Sequence, residues 1–237
     1  MRDKYELLIK NAANFGLEIS DRQLEQFDKY YELLIERNEK VNLTAITEFN
    51  QVLIKHFSDS IAIAAFFDMK NFGSLIDVGT GGGFPGIPLK IMFPHLKVTL
   101  LDSLNKRIVF LDDVISALSL QNVKTLHGRA EDYGRDSEYR EKYDICVSRA
   151  VANLSTLTEI CAPFVRVGGL FVSYKAEKAE EEIDSAKKAI KLLGCKYERC
   201  ENIKLEDNNR NFVVIGKKER TAKTFPRKAG TPGKKPL

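Results

Sequence analysis

A chain of 237 residues with 43% hydrophobic and 30% charged side chains has an ordinary globular composition, long enough for one sizeable core and a small extension. No apolar run nears the roughly 20 residues that span a bilayer, and the opening MRDKYELLIKNAANFG is too polar for a secretion signal. A cytoplasmic protein with no membrane partner is therefore expected. The net charge of +4 is unevenly placed, since 217–237 carries +7 and the rest of the chain −3.

In chain order, Leu7, Leu8 and Phe15 lie in a first helix stopped near Gly16. Ser20 and Gln23 can form a capping box for a second, with Leu24, Phe27, Tyr30, Tyr31, Leu34 and Ile35 at helical spacing. The polar connector from Asn38 to Thr47 reads as structural. A third helix is expected from about Phe49 to Phe66, with His56 and Asp59 on one face; His56, with no second histidine nearby, reads as packing or capping. Strands are expected at Leu75–Val78, Val98–Asp102, Val123–His127, Tyr143–Ser148 and Leu170–Lys175, alternating with helices that begin near Pro85, Leu104, Glu131 and Ser155. That alternation means a parallel sheet. A helix over Glu180–Leu193 leads to a hairpin, Lys196–Leu205 and Asn211–Lys217, joined by EDNNR. The chain thus divides into a helical extension (1–70) packed on the core, an α/β domain (71–218) and a basic tail (219–237). The tail holds Pro226, Pro232, Pro236, Gly230 and Gly233, so it should not pack as a helix. Its Arg227, Lys228, Lys234 and Lys235 are ready to neutralise phosphates, although a merely solubilising terminus is the alternative. The four cysteines, Cys146, Cys161, Cys195 and Cys200, make no C-x-x-C pair, so reduced thiols and no metal site are expected.

The stretch LIDVGTGGGFPGIPL, Leu75 to Leu89, reads as strand, glycine loop and helix. Glycine permits positive φ and close approach of a ligand, and Pro85 suits a first helical turn. Nucleotide-like ligands bind at such a loop, beside a helix N-terminus. A dinucleotide fingerprint can be laid on Gly81, Gly83 and Gly86, but it starts two residues late and puts Pro85 inside the turn. Starting at Gly79 gives Asp77, Gly79, Gly81 and Gly83 as D-x-G-x-G-x-G. A carboxylate there suits a cationic, amino-bearing ligand better than a pyrophosphate, which points to S-adenosylmethionine. A tight turn with no ligand is the bland alternative.

Asp102, 23 residues after Gly79 at the end of the second strand, stands where an acidic side chain accepts from ribose hydroxyls. Ser103 could cap the next helix, a reading open to Asp102 as well. Ala130 and Glu131, after strand three, can read an adenine edge by backbone N–H and carboxylate. Arg149, ending strand four, points toward the methyl-donating end, or is a buried structural arginine. A sheet of parallel strands closed by a hairpin whose last strand inserts antiparallel is the class I S-adenosylmethionine methyltransferase arrangement. The expected fold is this Rossmann-like, seven-stranded α/β architecture with an N-terminal helical extension.

Taken together, DVGTGGGFPGIPL, SLNKR (Ser103–Arg107), RAE (Arg129–Glu131), SRAV (Ser148–Val151), NEKVNLT and FPRKAGTPGKKP resemble the glucose-inhibited division protein B family, also called RsmG. The resemblance runs from the second helix to the tail. These are bacterial 16S rRNA guanine-N7 methyltransferases. The resemblance implies that Gly79, Phe84, Ala130, Glu131 and Arg149 contact the cofactor, with Asp102, Ser103 and Leu104 adjoining the adenosine. It also implies a guanine of the 16S decoding-region loop as target, with 16S rRNA or the small ribosomal subunit as partner. A monomer is expected.

The residue chemistry agrees by what it lacks. Where enzymes acting on exocyclic amines carry [DN]-P-P-[YF], this chain has SRAV, and Cys161 in ICAPFV reads as core rather than as a cytosine-C5 nucleophile. Guanine N7 has a free lone pair and no proton, so no base is needed. Phe84 or Tyr174 could supply a stacking face. Two rivals are a nicotinamide-dependent oxidoreductase, which lacks an evident Tyr–Lys or His–Asp set, and a non-catalytic RNA-binding module with a nucleotide pocket.

Overall fold

The computed structural model describes residues 1–149, 152–175, 179–206 and 208–237. Five parallel strands, β1 (Ser74–Val78), β2 (Lys97–Asp102), β3 (Val123–His127), β4 (Tyr143–Arg149) and β5 (Val165–Lys175), are followed by β6 (Cys195–Leu205) and β7 (Asn208–Lys217). The order is β3-β2-β1-β4-β5-β7-β6, with β7 antiparallel to both neighbours. The inserted last strand is therefore present as expected. Asp207 of the hairpin turn and Ala150 and Val151 of SRAV lie outside the described residues.

Strand alternation sorts the core into two layers, as a sheet buried on both faces requires. Leu75, Val98, Leu100, Ile145 and Val147 face one cluster, and Ile76, Leu101, Cys146, Phe171 and Val213 face the other. The first cluster also contains Tyr5, Leu24, Phe27, Tyr30, Leu34 and Phe57, so residues before 70 share a core with the sheet. They belong to a short turn ending at Tyr5, to α1 (Glu6–Asn14) that follows it, to α2 (Asp21–Val41) and to a helical run through α3 (Phe49–Val52) and α4 (Asp59–Ile61). Ser20 caps α2 in a reciprocal box with Gln23, whose side-chain amide also donates to Ile91 O at 2.9 Å. The expected third helix is present, but its middle, Leu53–Ser58, is a π turn, a distortion common at functional sites. On the same face of the sheet as these helices lie α5 (Gly86–Met92) and α6 (Asn105–Ala117); the opposite face carries α7 (Ala130–Tyr133), α8 (Leu154–Cys161) and α9 (Ala179–Leu192).

The tail corrects the sequence expectation. It folds back onto the α7 and α8 layer with Pro226 and Pro232 buried, and Thr231–Lys234 forms one short helical turn, α10. Arg140 holds it by donating to Phe225 O (2.9 Å) and Thr221 O (2.6 Å), while Arg135 donates to Pro226 O (2.7 Å). Backbone carbonyls of a proline-rich segment have few ladder partners, and two arginines supply them.

Candidate active site

The glycine loop leaves the carboxyl end of β1 and is fastened from three sides. Below it, Asp77 Oδ2 accepts from Thr80 Oγ1 (2.7 Å) and from Gly86 N–H (2.8 Å). Asp77 is fully buried and does not line the cavity, so it holds the loop instead of facing the ligand as expected. Burial pushes its carboxyl up to about 6 against the hydrogen bonds from Thr80 and Gly86, and its Oδ1 has no partner among the described residues. Beside the loop, Asp102 Oδ2 accepts from Gly81 N–H at 2.9 Å. From the helical layer, Tyr30 O–H donates to Gly82 O.

The rear of the loop packs too closely for a ligand. A Cβ on Gly86 would stand 2.4 Å from Leu100 Cδ2, and one on Gly83 would stand 2.6 Å from the Tyr30 hydroxyl. The dinucleotide phasing needs Gly83 backbone open to a pyrophosphate, and Gly83 instead abuts Tyr30.

In front of Gly79 and Gly81 a cavity of about 370 Å³ opens, bounded also by Leu43, Thr44, His56 and Arg149. A second, largely apolar crevice of about 100 Å³ is formed by Val78, Leu101, Ala130 and Ile160 with Glu131 at its edge. Asp102 and Ser103 line both. Asp102 Oδ1 accepts from Leu104 N–H at 2.9 Å, and Arg107 Nη1 lies 3.2 Å from Oδ2. Two backbone donors thus orient the carboxylate, Arg107 approaches one of its oxygens, and of its roughly four acceptor positions one is left over. Leu104, at the α6 start, is 42% exposed.

Arg149, ending β4, stands across the cavity. Its Nη1 donates to Asp59 Oδ2 (2.6 Å) and to the Lys55 carbonyl (3.0 Å), while Nη2 lies 3.3 Å from His56 Nδ1. Asp59 Oδ1 takes a second arginine, Arg210 of β7, at 2.7 Å. His56 Nε2 meets Thr44 Oγ1 at 2.8 Å, and its ring stacks on Phe84 with centroids 4.5 Å apart. Burial first and the Arg149 charge second push the imidazole down to about 3, so it is neutral near pH 7. Phe84 is stacked on its other neighbour Tyr30 as well, and Tyr174 is buried with its hydroxyl on Ser60 O. Neither offers the open stacking face expected of it.

Of the tail cations, Arg227 is withdrawn from the expected phosphate contacts: its Nε lies 2.9 and 3.1 Å from the two oxygens of Glu159, which is fully buried. Lys228, Lys234 and Lys235 remain exposed. Sequence reading missed the connector residues Leu43 and Thr44, which it took as structural, together with His56, Arg107 and the supporting Tyr30. The first four residues of NEKVNLT close α2, and the polar Asn42 and Thr44 that follow carried the signal, because polar side chains just past a helix end need partners. Among the described residues no group of His, Cys, Asp or Glu is placed to hold a metal, and no helix is long and apolar enough to cross a membrane.

The donor set fits S-adenosylmethionine: a buried carboxylate at the β2 end for a diol, an apolar crevice with a carboxylate edge for a purine, and a polar cavity beyond for the methionine end. Fold and site together define a class I S-adenosylmethionine-dependent methyltransferase. Solved structures share the fold: M. jannaschii TYW2 in complex with AdoMet is 19% identical, covering 61% of this chain and 68% of that one at a TM-score of 0.50. MtNAS, solved as a point mutant, is 12% identical over 84% of this chain and 75% of that one, at 0.54. The family model described as rRNA small subunit methyltransferase G matches residues 23–213. Proteins named ribosomal RNA small subunit methyltransferase G are 53% identical in Bacillus licheniformis, over 94% of each chain, and 51% in Bacillus subtilis, over 98% of each. The chain belongs to this GidB family.

Proposed function

We propose that this protein methylates N7 of one guanine in the decoding-region loop of 16S rRNA, taking the RNA or the small ribosomal subunit as substrate and acting as a cytoplasmic monomer. The observation that carries the choice of atom is the chemistry of the cavity of about 370 Å³ in front of Gly79 and Gly81. Its histidine is held neutral, stacked and hydrogen-bonded to Thr44, while Arg149 is tied to Asp59 and Arg107 to Asp102. Asp102, the carboxylate that lines it, already accepts from Gly81 N–H, Leu104 N–H and Arg107, so among the described residues no uncommitted base lines the cavity, and N7 has no proton to give.

S-adenosylmethionine, when bound, supplies an electrophilic sulfonium methyl. The chain's own contribution is placement. Asp102 would hold the ribose hydroxyls, Ala130 N–H and Glu131 the adenine edge, and Gly79 and Gly81 the backbone approach, with Ser103 and Leu104 beside the adenosine and Phe84 forming part of the cavity wall. Arg149 would contribute the N–H groups its present bonds leave over, either to the methionine carboxylate or to guanine O6, an acceptor next to N7. Orientation of this kind accounts for about 7–11 kcal/mol in well-aligned reactions. Lys228, Lys234 and Lys235 would neutralise RNA phosphates.

Tritium transfer from labelled S-adenosylmethionine to 16S rRNA, followed by mapping of N7-methylguanine by chain cleavage, tests the reading. Label on a proton-bearing atom, or none on RNA or subunits, would refute it. Sedimentation velocity checks the monomer.

A further inference from the structure

The tail reaches the cofactor site from outside the sheet. Gly230 N–H donates to Glu131 Oε1 at 2.8 Å, and Arg129 Nη2 lies 3.2 Å from the same oxygen. Glu131 is 3% exposed and edges the apolar crevice next to Asp102. No strand or long helix holds Gly230 there. An ion pair three residues upstream does so: Arg227 Nε spans both oxygens of Glu159, Nη2 bonds Oε2, and the Arg227 backbone N–H donates to Oε1 at 2.8 Å. Beyond Gly230, Thr156 Oγ1 donates to Pro232 O at 3.1 Å, and Arg227 Nη2 donates to Lys235 O at 2.7 Å. The turn is pinned on both sides.

Burial raises the Glu131 carboxyl, but N–H donors from Gly230 and its own backbone, with Arg129, outweigh it and hold the group below the usual range. The carboxylate is therefore charged when it meets a ligand. A carboxylate has about four acceptor positions, so the bonds from Gly230, Arg129 and its own backbone N–H orient it and leave one position for a donor in the crevice.

Resting on the reading that this crevice takes the adenine, we propose that Arg227 is a positioning residue for the cofactor: through the Gly230 turn it fixes Glu131, so that the pocket selects a 6-aminopurine. A tail that only stabilised the fold would not alter which purine is bound.

Calorimetry with two ligands separates the roles: S-adenosylhomocysteine, and its analogue with hydrogen in place of the 6-amino group. Wild-type protein should prefer the amino compound about tenfold or more, the weight of one charge-assisted hydrogen bond. In Arg227→Ala the preference should shrink to about threefold or less, with the analogue's dissociation constant nearly unchanged, and Arg227→Lys should restore part of it. A chain ending at Lys228 keeps the ion pair and lacks Gly230, and it should lose the preference too. Retained preference in Arg227→Ala and the shortened chain, or an equal loss of affinity for both ligands, would overturn the proposal. Wild-type protein binding both alike refutes this proposal alone; wild-type protein binding neither refutes the cofactor assignment beneath it as well.

Discussion

At the scale of single residues, the site is organised by carboxylates with distinct duties. Asp102 accepts from Gly81 N–H on one oxygen and from Leu104 N–H on the other, with Arg107 beside the first, which leaves an acceptor position for a hydroxyl. Asp102→Ala should weaken S-adenosylmethionine binding at least about tenfold, from lost charge-assisted bonds worth about 1.5–3 kcal/mol each and from a loosened loop. An unchanged dissociation constant on a folded variant would exclude the ribose role. His56 gives a stability test with a definite sign. Its folded value, about 3, lies below that of an unfolded imidazole, so the unfolded chain binds the extra proton at acid pH. Its contribution is complete above about pH 6.5 and fades as pH falls toward the folded value. Asp77, raised to about 6, acts in the opposite sense across an overlapping range. The stability difference between wild type and His56→Gln therefore isolates the histidine. It should move in favour of wild type from about pH 4 to 6.5 and level off above, measured by urea unfolding at each pH. The single-turnover methyl-transfer rate should meanwhile stay flat from about pH 7 to 8.5, where a histidine base would titrate. Asp102 and Arg149 were visible in the sequence because strand ends are legible from a short apolar run. The duty of Asp77 was not, because its position at a strand end does not say which face its side chain takes; alternation puts it on the α5 side, under the loop.

Among elements, strands β1 to β5 and the closing hairpin were readable from alternation and glycine placement, whereas the tail was not. Its composition suggests a solvated cationic arm, and composition cannot register one buried glutamate on α8 that claims Arg227. The two halves of the tail should consequently respond differently to substitution. Replacing Lys228, Lys234 and Lys235 together by Ala should leave the melting temperature nearly unchanged and weaken RNA binding, flattening its salt slope by about 0.7 per lost contact. An unaltered slope would remove them from the interface. Arg227→Ala leaves Glu159 buried without its cation and should cost about 3 kcal/mol of stability, read by denaturant unfolding. The π turn was equally hidden, since hydrophobic spacing over Phe49–Phe66 looks helical throughout. It lies where Lys55 O accepts from Arg149, and no periodicity reports a redirected carbonyl.

For the whole molecule, the helical segment before residue 70 is part of the core. Residues 71–218 alone would expose the sheet face that Leu24, Phe27, Leu34 and Phe57 cover, and should be insoluble or lack a cooperative melt. A soluble fragment with native near-ultraviolet dichroism would contradict this. Tyr30 joins α2 to the glycine loop by a single hydroxyl on Gly82 O, while its ring stacks on Phe84. Inheritance follows from that joint. A chimera with its crossover between residues 41 and 74 would pair one ancestor's glycine loop with another's supporting helix, so the two are expected to be exchanged together or not at all, as one heritable unit written in two distant stretches of the gene.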